Sequence, residues 1–330
     1  MKLNAVALAL LGLSPTIVFA GLGEPGFSGH ISVVTGQKTV KSNFQTENSI
    51  KTGSLNTEGE SDTSLIVVPL GYVRYTFGGS NSKQLFAGTS KQDIAIGDLA
   101  LEIGYKQELK YGTIVSFAFL PTVIGGETWA DPFVTGVERE ETDIEGNAYL
   151  VSANNISGTH FSVDFGVYNL SIDDEKSGLT LNKSGLTLSE VATLDREGTG
   201  IYSKFSYEGM LGDAGRLITA VKYISFDADG SAISFDQWGM SVTFQKSVGQ
   251  HKFWVTASYD KARYDEVNPI FNKKQKDDKF GTFIAYEYDN FMNLANWSLI
   301  GVVSYDVTGS SMDFYDEQQY ITSVGMSYKF

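Results

Sequence analysis

The chain has 330 residues, a formal net charge of −14, 13% aromatic residues and no cysteine. The acidic balance excludes the basic footprint of a nucleic-acid binder, and the lack of cysteine excludes disulfides, thiolate nucleophiles and Cys-ligated metals. After the first twenty residues no uncharged apolar run is long enough to cross a bilayer as a helix, so a helical membrane protein is excluded too.

Residues 1–20 read as a cleaved secretory signal peptide. Lys2 supplies the charge, Ala5 to Leu13 the short apolar core, Pro15 the break and Val18-Phe19-Ala20 the cleavage site. Cleavage after Ala20 leaves one mature domain, residues 21–330. Gly21-Leu22-Gly23-Glu24-Pro25-Gly26 matches G-x-G-x-x-G, but it follows no strand and opens no helix. It reads as the mature N-terminus, with none of the context of a pyrophosphate site.

From there the hydrophobic period is two. Leu99, Leu101, Ile103 and Tyr105 share a face, as do Val115, Phe117 and Phe119, then Phe161, Val163, Phe165 and Val167. Ile201, Phe205 and Tyr207 follow, then Leu217, Val221 and Tyr223, then Trp238, Met240, Val242 and Phe244. Phe253, Val255 and Tyr259, then Phe280, Ile284 and Tyr286, then Trp297, Leu299 and Val303 continue the series. Alternation over so many segments predicts strands throughout. Only 6 prolines in the chain fit backbone that is mostly ladder-bonded. The intervening positions are mainly Ser, Thr, Gly and Ala, joined by the isolated charges Arg74, Glu102, Lys106, Asp164, Lys204, Lys222 and Glu287.

Connections alternate between short (78–83, 109–112, 156–159, 209–215, 247–251, 289–295) and long or polar (38–62, 124–145, 173–198, 266–278, 307–319). Two smaller members of the second set are expected near Lys91 and at Asp227 to Ser231. Asp227-Ala228-Asp229-Gly230-Ser231 opens like a calcium loop, but its twelfth position is Trp238, so it reads as a tight turn. The segment from Ile124 carries Trp129, Pro132 and Phe133, costly to leave in water, among Glu127, Asp131, Glu138, Glu140, Glu141, Asp143 and Glu145. Lys273, Lys274 and Lys276 give the 266–278 connection the opposite sign, suited to lipid phosphates or anionic solutes.

The closing segment places Tyr320, Thr322, Val324, Met326, Tyr328 and the terminal Phe330 on one face and Ser323, Gly325, Ser327 and Lys329 on the other. Behind a secretory signal, such a strand resembles the C-terminal strand of bacterial outer-membrane β-barrels. The resemblance implies that Tyr328 and Phe330 form the signal read by the barrel assembly machinery. The implied fold is all-β: a transmembrane antiparallel up-and-down barrel of about 14 strands (12 to 16 by the pattern), with short periplasmic turns and long external loops. Gly88-Thr89-Ser90, Ile94-Ala95-Ile96-Gly97, Gly126-Glu127-Thr128-Trp129 and Asp131-Pro132-Phe133-Val134-Thr135-Gly136 resemble, across most of the mature chain, an uncharacterised family of exported proteins from marine γ-proteobacteria.

The expected function is a porin-like channel for passive diffusion of small hydrophilic solutes, with a cation preference. The expected constriction loop, placed after the fifth strand as in general diffusion porins, uses Glu127, Trp129, Asp131, Phe133, Glu138 and Glu140. It would oppose lumen charges drawn from Arg74, Glu102, Lys204, Lys222 and Glu287. The alternatives are a transporter for hydrophobic small molecules, drawing on inner-face Ile218, Trp254, Phe283, Ile300 and Val302, or a non-transport barrel with adhesive or envelope-structural loops. No enzyme is expected: His30, His160 and His251 each begin an upward strand at the periplasmic end, away from any external site. No cofactor or metal is expected. The expected partners are outer-membrane lipid, lipopolysaccharide and small solutes, and a homo-oligomer is compatible with the pattern.

Overall fold

The computed structural model describes residues 22–89, 101–121 and 126–330. The signal peptide, the connection expected near Lys91, Leu99, and Ile124-Gly125 lie outside the described residues. The strands are β1 (Gly26–Lys41), β2 (Ser61–Phe77), β3 (Lys83–Gly88), β4 (Glu102–Glu108), β5 (Ile114–Pro121), β6 (Gly126–Trp129), β7 (Glu141–Asn154) and β8 (Phe161–Ile172). They continue as β9 (Gly198–Met210), β10 (Arg216–Ala228), β11 (Phe235–Val248), β12 (His251–Asn268), β13 (Lys273–Asp289), β14 (Trp297–Ser310) and β15 (Glu317–Lys329).

Apart from β5 and β6, consecutive strands pair antiparallel, and two further pairings close the ring. β1 pairs with β15 from His30↔Lys329 to Lys41↔Gln318, and β5 pairs with β7 from Ile114↔Asn154 to Pro121↔Asn147. The result is a closed antiparallel barrel of 14 strands. The short β6 lies beyond the end of β5 along the same edge of β7. Closure leaves no open edge, the condition for β-structure in lipid.

Parity sorts the side chains. Ile31, Val33, Leu65, Ile103, Phe117, Phe165, Phe205, Val221, Val255, Ile284 and Val324 are exposed on the outer wall. Their neighbours Ser32, Ser116, Asp164, Ser206 and Thr256 are buried on the inner face. An apolar exterior around a polar interior is the pattern of a transmembrane barrel. Aromatic pairs mark both rims of the apolar band: Phe27–Tyr75 (4.7 Å) and Trp297–Tyr328 (5.2 Å) below, Tyr223–Trp238 (4.6 Å) and Tyr259–Phe280 (4.8 Å) above. Such rings seat at the membrane interfaces. The seam at the chain end is held by reciprocal backbone bonds between Gly29 and Phe330, at 2.9 and 3.0 Å.

The wall is uneven in height. β12 has 18 residues and β13 has 17, whereas β3 has 6 and β4 has 7. The long hairpin corrects one expectation. The 266–278 connection shrinks to four residues after Asn268, because Asn272 takes a left-handed φ of 54° and turns the chain at once. The three lysines therefore stand at the top of β13. Pro69 is tolerated inside β2 for a local reason. Two residues on, the Gly71 carbonyl accepts from Thr89 N (2.7 Å), so odd residues of β2 direct their backbone groups away from β1. The missing N–H of Pro69 thus points above the last residue of β3, where no ladder bond among the described residues is lost.

Candidate functional site

Two features could govern passage: the outer mouth and the inner wall. Over the mouth, Phe133, Leu194, Ala232 and Phe314 are buried at 2% exposure or less, packed with Phe44, Leu55, Leu181, Leu186, Ile270 and Phe271. These residues belong to the β1–β2, β6–β7, β8–β9, β10–β11, β12–β13 and β14–β15 connections. Connections spaced around the whole ring meet in one cluster only by crossing the mouth. Phe314 is the hub, with ring centroids 5.1 Å from Phe133, 5.6 Å from Phe271 and 5.7 Å from Phe44. Each such ring removed from water stabilises the cap by about 1.5–3 kcal/mol.

Polar ties fix the cap. Arg139 donates to three carbonyls of the first loop: Asn43 (2.8 Å), Asn48 (2.6 Å) and Ser49 (3.3 Å). Its guanidinium also lies 4.3 Å from the Trp129 ring centroid, a cation–π contact. Asp131 accepts from Phe133 N, Gly178 N, Thr180 N and Thr180 Oγ1 at 2.6–3.1 Å, joining its own loop to the β8–β9 loop. Arg196 pairs with Glu175 (2.6 Å) and donates to the Trp129 carbonyl (2.7 Å). Asn43 donates to the Phe314 carbonyl (2.8 Å) and accepts from Lys51 (2.9 Å).

Burial shifts the cap's titrating groups. It lowers Arg139 to about 10, against a raising influence from Glu60. It lowers Lys51, with further lowering from Arg139, and it raises the Tyr315 phenol above the ordinary range. The signs divide by group. The lowered Lys51 and Arg139 values each add to docking as pH rises through them toward their ordinary ranges. The raised Tyr315 phenol removes docking above about pH 10, where a free phenol ionises and the buried one does not. Above about pH 10 the Arg139 gain and the Tyr315 loss, each roughly 1.4 kcal/mol per pH unit, oppose and largely cancel. Cap docking should therefore strengthen as pH rises toward about 10 and change little beyond it. Ionic current across a planar bilayer, followed from about pH 8 to 11, checks this; current that rises steadily with pH over that range contradicts it.

The expected constriction residues divide. Trp129, Asp131 and Phe133 are buried in the cap, Glu127 is half-buried in β6, and Glu138 and Glu140 are exposed on the far side of the loop. Glu138 bridges to Ile50 of the first loop by backbone pairing, and Glu140 pairs with Lys176 (3.0 Å).

The expected lumen charges all share the inner parity. Arg74 donates to Ser28 at the periplasmic end (2.8 Å). Glu287 lies near Lys252 (3.5 Å), which also holds Asp289 (2.6 Å), again at that end. Glu102 is buried on the inner face opposite Gly88. Lys204 and Lys222 face each other across β9 and β10, a costly pairing relieved by a carboxylate on each side. Asp164 is opposite Lys204, and Asp260 is 2.9 Å from Lys222. One register row thus runs Lys106, Ser116, Ser152, Asp164, Lys204, Lys222 along the inner wall.

Directly above that row the wall turns apolar. Phe86, Ala118, Leu150, Tyr202 and Ile224 form one level, and Leu120, Ala148, Tyr168 and Phe226 the next. Glycines let the rings lie flat. A Cβ at Gly104 would fall 2.4 Å from Phe86, and one at Gly200 would fall 2.3 Å from Tyr168. Lys106 caps the Phe86 ring at 4.5 Å. Ile233, in the β10–β11 loop, packs against both this wall and the cap, so the two apolar clusters are continuous. The periodicity reading named Ile218, Trp254, Phe283, Ile300 and Val302 as apolar inner residues, and they do have inner parity. It missed the Phe86–Leu150–Ile224 wall. The detectable signal was a large aromatic placed across from glycine in the neighbouring strand.

His30, His160 and His251 sit at the short-turn end; His30 stacks on Tyr72 (6.2 Å) and His251 bonds the Tyr286 hydroxyl (2.7 Å). Among the described residues no group of three His, Asp or Glu side chains could hold a metal ion.

In structure, the chain is similar to the outer membrane channel DcaP of Acinetobacter baumannii (10% identity, 94% of this chain and 100% of that one, TM-score 0.41). It is similar to an anion-selective porin from Comamonas acidovorans (11%, 93% and 100%, 0.41) and to the CymD monoaromatic hydrocarbon channel (9%, 93% and 89%, 0.44). No curated protein matches it in sequence. Residues 26–329 match the model of the family described as protein of unknown function (DUF2860), and the chain belongs to that family.

Proposed function

We infer that this barrel is an outer-membrane channel, capped at rest, for small solutes that combine an apolar body with a polar or charged end. One observation carries the reading: the apolar packing that runs from the cap, through Ile233, onto the Phe86–Leu150–Ile224 wall. At rest this packing is closed, with Leu150 and Phe86 buried; once the cap parts, an apolar solute entering there stays desolvated, while the ionic row from Lys106 to Lys222 below offers its polar end a partner. In liposomes holding the purified barrel, entry of small aromatic or alkyl carboxylates should exceed that of sugars of equal size by about tenfold, the ratio set by about 1.4 kcal/mol. Entry ranked by size alone, whatever the apolarity, would refute this.

The ionic row supports a second reading, passage of hydrophilic solutes. Its lysines outnumber Asp164 and Asp260, so a cation preference would come from the acidic loop, where Glu127, half-buried in β6, is the group to test. Glu127→Lys should shift the reversal potential under a salt gradient toward anion selectivity. An unchanged reversal potential from a conducting variant removes Glu127 from the pathway.

A further inference from the structure

On the outer wall the strands β7 to β10 carry a shallow, open groove of about 510 Å³. Gly200 of β9 is the register partner of both Tyr168 and Phe226. With no side chain between them, those rings close over the β9 backbone, nearly parallel at 6° and 5.9 Å apart. The rings thus lie against the Gly200 backbone on the inner face, and the groove lies over the same stretch of β9 on the outer face.

The groove is amphipathic along the membrane normal. Its floor is Tyr149, Val167 and Ile201, each 39–50% exposed toward lipid. One register step toward the external end, Asn147, Asn169, Thr199 and Asp227 form an unbroken polar row across four strands. The row lies where the apolar band ends, at the outer-leaflet interface. Amide and hydroxyl groups beside a single carboxylate suit the hydroxyls of a sugar, which donate to the carboxylate and amide oxygens and accept from the amide nitrogens.

We propose that this groove is a binding site for an outer-leaflet glycolipid of the lipopolysaccharide type: an acyl chain lies on Tyr149, Val167 and Ile201, and the sugar headgroup bonds to the Asn147–Asn169–Thr199–Asp227 row. The stacked rings back the groove at Gly200, so binding requires little reorganisation. The site is independent of what the channel carries.

The test is native mass spectrometry of the full-length mature barrel, stripped of lipid in mild detergent and titrated with rough-type lipopolysaccharide or with phosphatidylglycerol. Wild type should bind one lipopolysaccharide about tenfold more tightly than Ile201→Trp, which fills the floor, and than Asn169→Leu/Thr199→Val, which removes the rim. Phosphatidylglycerol binding should be weaker and indifferent to the rim change. Heat-modifiable gel mobility confirms that each variant is folded. Equal lipopolysaccharide binding by all folded forms overturns the site, and preferential phosphatidylglycerol binding overturns the headgroup assignment. A dimer abolished by Ile201→Trp would assign the face to a second copy and overturn the lipid proposal.

Discussion

Replacing Arg139 with alanine is expected to open the outer mouth. The guanidinium holds three carbonyls of the first external loop and packs on Trp129, so it joins two loops that reach the mouth from different sides of the ring. A hydrogen bond to a charged group is worth about 1.5–3 kcal/mol, and losing the donor strands carbonyls that the cap keeps from water. With discounts for water entry and loop relaxation, the docked cap should lose roughly 3–5 kcal/mol. That is about a 10²–10⁴-fold change in the ratio of closed to open mouths. Planar-bilayer recordings should pass from rare openings to long-lived ones, and protease should cut within residues 42–60. Phe314→Ala should act in the same direction by about 3–5 kcal/mol, since it empties the centre of the aromatic cluster. The two substitutions should combine less than additively, because both loosen the same loop–loop contacts. Unchanged current from an Arg139→Ala barrel whose first loop is cleaved would show that the cap does not gate.

Strands were legible because a barrel wall is two-sided at every residue. Phe161, Val163, Phe165 and Val167 meet lipid and Ser162, Asp164, Gly166 and Tyr168 do not; lipid enforces that contrast along the whole strand. Turn ends were legible for a related reason, the difference between tight left-handed turns such as Asn290 and loops rich in acids. The cap left a fainter trace. Phe44, Phe271 and Phe314 lie in their loops without period and meet only because closure of the ring brings distant connections to one place. Trp129, Pro132 and Phe133 did signal an ordered segment, by the cost of hydrating them. What that segment packs on depends on partners such as Asn43 and Gly178, which no local pattern identifies. The inner wall lies between these cases. Leu150 and Ile224 have inner parity in their strands, but only cross-strand register shows them to be neighbours, level with Ala118 and Tyr202 and above the ionic row.

That register makes the lumen testable apart from the cap. In the double variant Leu150→Gln/Ile224→Thr the apolar wall should cease to be continuous while the ionic row is untouched. Both residues are buried on the inner face. Gln nearly preserves the volume of Leu, and Thr keeps the β-branch that β10 favours. Each change removes about 1–3 kcal/mol of favourable apolar contact for a solute sliding along the wall. Entry of an alkyl or aromatic carboxylate should thus fall by at least about tenfold. Potassium conductance in an Arg139→Ala background should hold or rise, since the new polar groups hydrate the passage. Lys222→Met/Asp260→Leu, which replaces the 2.9 Å ion pair with apolar groups of similar length, provides the converse. It should spare the apolar body and weaken discrimination between a carboxylate and its uncharged amide. Loss of both solute classes together in the wall variant would mean that it narrows the lumen rather than changing its chemistry. Loss of potassium conductance alone would place the aqueous path on the Leu150–Ile224 side and assign the apolar wall to packing.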